Sequence, residues 1–342
     1  MNKLSRENNA NISITDEFAL KIKADERRDK VIQYAPIAVL IALIVVFTIL
    51  KGFSFFSIGN FVAILNQWAI PLLIALGLTF VIMIGSIDLS IDGTVGMVGS
   101  LVAVFVANSK NSNNMGLFGC ILAVLAAVVV GFLIGLIYVK FKIPSFMVSF
   151  AFMYICIGIG MLSYSGRPAT ITDPLMVAIP KTSFLGIPII TWIALIMLVI
   201  CIYIQNYTPF GRYIYAIGTD EMIPKAVGIN VNKVKIQVFT LAGVCYGLAG
   251  VIGGLRLGQG QIAIGTNQMF PAQAAVVIGG TALSGGKGGV TNTIVGTLIM
   301  TVLTNGLTLL GVDPNIKNGI QGIIILVAVI LTVEHGSTVI SK

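Results

Sequence analysis

From Val31 onward the chain alternates long uncharged runs with brief charged punctuation. The uncharged windows cover 31–50, 52–87, 93–109, 111–139, 143–166, 182–211, 236–255, 257–286, 288–312 and 318–333. About 20 helical residues cross the hydrocarbon core of a bilayer. The pattern therefore predicts an all-α, polytopic membrane helix bundle of about 10 transmembrane helices. Windows 93–109 and 318–333 are short and fit tilted, extended or partial spans. Window 257–286 opens on a polar stretch, Gly258 to Asn267, which places its helical part at 271–284. Val31–Leu50 is too long for a signal-peptide core and has no small-residue cleavage site after it, so it reads as a retained span. The organisation expected is a polar tail over 1–30, a transmembrane region over 31–334 with one long loop at 207–235, and a second tail over 335–342.

Composition agrees. Of 342 residues only 10% are charged, against about 25% in soluble domains, and the mean hydropathy is +0.98. The net charge of +8 lies almost wholly outside residues 1–30, which hold seven basic and six acidic side chains. With the N-terminus inside, 15 of the 21 lysines and arginines fall on inside segments. That bias puts both termini in the cytoplasm and leaves no surplus that calls for nucleic acid. Cys120, Cys156, Cys201 and Cys245 sit inside apolar runs, as small packing residues do. With a single histidine, His335, they offer no metal ligand set and no catalytic constellation.

Small residues crowd several windows. Gly131 and Gly135, and Gly243, Gly247, Gly250, Gly253 and Gly254, allow close helix approach, either within one bundle or at a dimer face. Ile84–Ser90 and Ile278–Ser284 resemble each other, a hint of the two related halves common in transporters. Asp88 and Asp92 are the acids near membrane depth. They admit two readings: an ion-coupling site or caps at a helix break on the cytoplasmic boundary. Thr281–Gly288 resembles a phosphate loop but lacks its first glycine and its final hydroxyl, so no nucleotide site is expected in this chain. In the long loop, Thr219 or Asp220 can cap a short helix ended by Gly228. Met222, Ile223 and Val227 would give it an apolar side, suited to a partner groove or to a membrane surface.

This loop, Thr208–Asn230, with Val231-Asn-Lys-Val-Lys235 behind it, resembles the permeases of ABC sugar importers of the ribose, xylose and galactoside type. So do Gly85–Gly93, Ile278–Gly288 and Asn305–Val312. The likeness covers roughly 31–334, with two departures: Asp92 stands where the family more often has a small residue, and Pro224 interrupts an alanine-rich segment. The resemblance implies a pathway formed by two permease chains, a homodimer, in a bacterial cytoplasmic membrane. It implies an extracytoplasmic sugar-binding protein, and two ABC ATPase subunits that bind the ATP, so that this chain carries no cofactor. The ATPase contact is expected at Gly211, Thr219, Asp220, Glu221, Ala226, Gly228 and Ile229. Polar residues at membrane depth, Asn66, Gln67, Asp88, Asn292 and Asn305, are candidates to line the path of a neutral, ribose-like sugar or to pack helices. The alternatives are a related permease for nucleosides or branched-chain amino acids, and a carrier or channel that acts alone through Asp88 and Asp92.

Overall fold

The computed structural model describes residues 34–332. The two expected tails, 1–30 and 335–342, lie outside the described residues. Each of the ten windows contains a helix. Seven are long and apolar enough to cross a membrane: α1 (Tyr34–Ser54), α2 (Ile58–Met83), α4 (Gly116–Phe141), α5 (Ser145–Tyr164), α7 (Ile189–Tyr207), α10 (Val231–Leu257) and α12 (Val290–Leu309). Between them lie α3 (Ile91–Phe105), α6 (Pro174–Ala178), α8 (Pro209–Thr219), α9 (Met222–Ala226) and α11 (Met269–Ile278), and α13 (Pro314–Thr332) follows.

Helix α10 is the central post, packed against α2, α3 and α4. Its glycines explain how. Gly243 seats on the Ala127 carbonyl, Gly247 on Val124, Gly250 on Val95 and Gly254 on Gly99. On α4, Gly131 faces the Phe239 carbonyl and Gly135 faces Ile236. A Cβ at these positions would meet backbone, so both glycine runs serve packing within the chain. The inner half of α2, Leu72 to Met83, is wholly buried. Between helices of this kind van der Waals fit and polar glue replace the hydrophobic drive. The glue is visible: Trp68 Nε1 donates to Thr297 at 2.8 Å, and Thr79 and Thr293 share a hydrogen bond of 2.6 Å. All four cysteines are buried and unpaired, as their apolar surroundings predict.

At one end of the bundle, β1 (Ala169–Thr170) pairs with β4 (Gln259–Gly260), and β2 (Ser183–Phe184) pairs with β3 (Ile187–Pro188), both antiparallel. Asp173 caps α6 there by accepting from Leu175 N and Met176 N. At the other end, Thr208 caps α8 and Asp220 accepts from Met222 N at 2.8 Å to start α9. Gly228, at φ +80°, turns the chain out of α9.

One expectation needs correction. Helix α11 occupies Met269–Ile278 rather than 271–284, because Gly279 and Gly280 (φ +104°) end it and a glycine-rich turn follows. The break at 84–90 begins beside Ser145, at the start of α5, and runs into the bundle, so that α3 starts beside Met153, near the middle of α5.

Candidate functional site: two interrupted helices and the segment that touches both

Helix α2 ends at Met83, and Gly85 (φ +70°) reverses the chain. Residues 86–90 then run extended along α5. Ile87 N donates to Ser145 Oγ at 3.0 Å and Leu89 N to Ser149 Oγ at 2.9 Å. Serines four apart thus meet alternate N–H groups of a strand-like segment. That is how non-helical backbone survives at membrane depth, where each orphan group would cost several kcal/mol. The Asp88 carboxylate is buried, accepts from Ser90 N at 2.8 Å, and sets the turn into α3. Near it lies the buried Tyr246 hydroxyl of α10.

Asp92, in the first turn of α3, caps a different helix. Its carboxylate accepts from Asn267 N (3.1 Å), Gln268 N (3.1 Å) and Met269 N (2.7 Å), the free donors at the start of α11. Gly265 seats against the Asp92 carbonyl. Two helices therefore begin at one point inside the bundle, and a carboxylate faces their positive ends. The cap reading of both aspartates fits this geometry, with Asp92 acting across the fold.

The second break, 279–289, is built from glycine. Gly280, Gly285, Gly286, Gly288 and Gly289 all have positive φ. Side chains from α7 and α8 fix it: Val290 N donates to Gln205 Oε1 at 2.6 Å, and Tyr215 OH donates to the Gly288 carbonyl at 2.7 Å. Gly286 N donates to the Met83 carbonyl at 3.0 Å, so the two breaks touch. Gly218, on the last turn of α8, fits between the Met83 carbonyl and Gly286 N with no room for a Cβ. The 219–229 segment is thus continuous with a contact onto both interruptions.

Beyond that contact, Met222, Ile223 and Val227 are 66%, 60% and 72% exposed. Glu221 pairs with Lys225 and Lys235. Partial burial works to raise the Glu221 carboxyl, but hydrogen bonds and charge from the two lysines outweigh it and hold it below its ordinary value. Gly211 packs on the Gln205 carbonyl at the α7–α8 corner.

The path candidates do not converge. Asn66 and Gln67 line a groove of about 320 Å³ near the strand-bearing end, together with Arg256, which donates to the Asn66 carbonyl. Asp88 is interior. Asn292 lies in the first turn of α12, and its carbonyl faces Gly279. Asn305 is buried with an unpartnered Oδ1. Sequence reasoning missed Ser145, Ser149, Gln205, Tyr215 and Gly218. A signal was available for three of them: Ser145, Ser149 and Gln205 are polar residues inside apolar windows, whereas Tyr215 and Gly218 lie in the long loop.

A polytopic bundle whose interrupted helices meet at depth, with an exposed segment bearing on the interruptions, defines a solute permease. The chain belongs to the family of branched-chain amino acid transport system permease components, whose model matches residues 60–329. It is 38% identical over 297 residues to the ribose import permease protein RbsC of Haemophilus influenzae, covering 85% of this chain and 90% of that one. It is 36% identical over 298 residues to RbsC of Bacillus subtilis, covering 86% and 91%. The galactose/methyl galactoside import permease protein MglC of Escherichia coli is 32% identical over 314 residues, covering 87% and 92%. No solved structure matches the chain.

Proposed function

We propose that this protein is the membrane permease of a binding-protein-dependent ABC importer for a ribose-like monosaccharide. It would work in a bacterial cytoplasmic membrane as a ten-helix chain with both ends cytoplasmic. Partner ATPase subunits would dock on 219–229 and supply the energy, and this chain would bind no cofactor. Relatives named for ribose import support the substrate class. The observation that carries the mechanism is Gly218, lodged against both helix breaks. A shift of α8 imposed by a docked ATPase would reach Met83 and Gly286 without an intermediary. The exposed Met222, Ile223 and Val227 suit an apolar cleft on that partner.

Irregular backbone also supports pairing of two copies. Ile87 and Asn267 are exposed on non-helical segments beside the apolar helices, and irregular segments in a membrane are ordinarily buried in protein or face a water-filled cavity. A second copy across a water-filled path would cover it. A carrier acting alone through Asp88 and Asp92 is less well supported, because both carboxylates are engaged by backbone N–H groups. Reconstitution in liposomes decides the matter. Uptake of ribose should need the ATPase, the binding protein and ATP together. Uptake driven by a proton or sodium gradient with this chain alone would overturn the proposal.

A further inference from the structure

An apolar groove of about 800 Å³ runs along the outer face of α10 beside α4, and the transport reading makes no use of it. Its walls are Phe132, Leu241 and Val244. Its mouth, at the α8–α9 end, carries Asn230, Asn232 and Lys233. From Lys233 to Val244 the helix rises about 16 Å, close to the ~15 Å of one leaflet's hydrocarbon. The mouth is basic beyond Lys233. Gly131 on Phe239 and Gly135 on Ile236 set an antiparallel register, which brings Lys140 and Lys142 of the α4 terminus to the depth of Asn230–Lys233. Among the described residues none of these three lysines has an ion pair. The nearby carboxylate Glu221 is taken up by Lys225 and Lys235, and Asp220 caps α9.

We infer that this groove is a site for one anionic phospholipid, with an acyl chain along Leu241 and Val244 and the headgroup phosphate among Lys233, Lys140 and Lys142. Length selects a lipid chain, charge selects an anionic headgroup, and the mouth amides add donors for phosphate oxygens. The site adjoins the start of α10, directly after the α8–α9 segment, so occupancy would brace that end of the bundle. Basic mouths between membrane helices are the general form of such sites.

The test uses the whole chain in nanodiscs of mixed phosphatidylglycerol and phosphatidylcholine, with retained lipid read by native mass spectrometry. The wild type should keep phosphatidylglycerol preferentially. Lys233→Gln should cut the preference about five-fold, and adding Lys140→Gln and Lys142→Gln should abolish it. Lys110→Gln, at the far end of α3, should leave it unchanged. Val244→Trp should lower retention of both lipids by filling the groove. Raising salt on the wild type should erode the preference, which checks the site without any substitution. Equal retention of the two lipids by the wild type, or undiminished selectivity in the triple variant, overturns the inference.

Discussion

The two helix breaks resemble each other in sequence, Ile84–Ser90 and Ile278–Ser284, yet they are stabilised by opposite means. The first is extended, and two serines on α5 satisfy its backbone. The second folds on itself through five glycines at positive φ, with Gln205 and Tyr215 closing it from α7 and α8. One is a strand laid along a helix; the other is a knot of backbone that residues with a Cβ would strain. The likeness in sequence marks the same event, a helix that stops short of its span. It does not transfer the mechanism that makes the stop stable. The first break depends on hydroxyls in a neighbouring helix, the second on the absence of side chains within itself.

Substitutions can separate these mechanisms. The largest effect is expected where the breaks meet. Gly218→Val would drive a side chain into Met83 and Gly286, and overpacking of a tight site costs about 3 kcal/mol. Transport in reconstituted vesicles should fall to background, with a lower unfolding temperature. Normal uptake would dissociate α8 from the breaks. Next, Ser145→Ala with Ser149→Ala orphans two N–H groups in the first break only, at about 1–3 kcal/mol each. Hydrogen exchange should rise over 86–90 and stay unchanged over 279–289. Gln205→Leu should do the reverse by freeing Val290 N. Equal exchange at both breaks in either variant would erase the distinction drawn above.

Asp92→Asn keeps an acceptor for the α11 donors and loses the charge, so a destabilisation of about 1 kcal/mol is expected. Asp92→Ala should cost visibly more, read in the same unfolding assay. The smallest effect is pH-dependent. The Glu221 carboxyl titrates lower in the folded chain than its ordinary 4.5. Its pairs with Lys225 and Lys235 therefore brace the 219–235 segment above that value and fade as pH falls through the lowered one. The hydrogen-exchange protection of 219–229, taken relative to the intrinsic rate at each pH, should fall on acidification in the wild type and be flat in Glu221→Gln.

Much of this was legible in the chain. Each uncharged window holds one of the long helices or of α3, α11 and α13, since charge is excluded from hydrocarbon whatever the fold. The Asp220–Gly228 helix was readable because caps and glycine stops act locally. The role of Asp92 was not: its partners are Asn267 to Met269, about 175 positions away, and no local pattern announces a cap on another helix. The path candidates failed to gather for a related reason. Polarity at depth is needed equally for packing, as Thr79 and Thr293 demonstrate, so polarity alone does not select a path.

The four buried cysteines have a practical consequence. Enclosed in apolar packing, they are hidden from water-soluble thiol reagents in the folded protein. The unmodified sequence is therefore already a silent background for probe attachment. A single cysteine introduced at Ile223 or at Gln259 would carry a spin label or fluorophore alone, and paired labels across the two ends could follow the distance between them through a turnover without first rebuilding the interior.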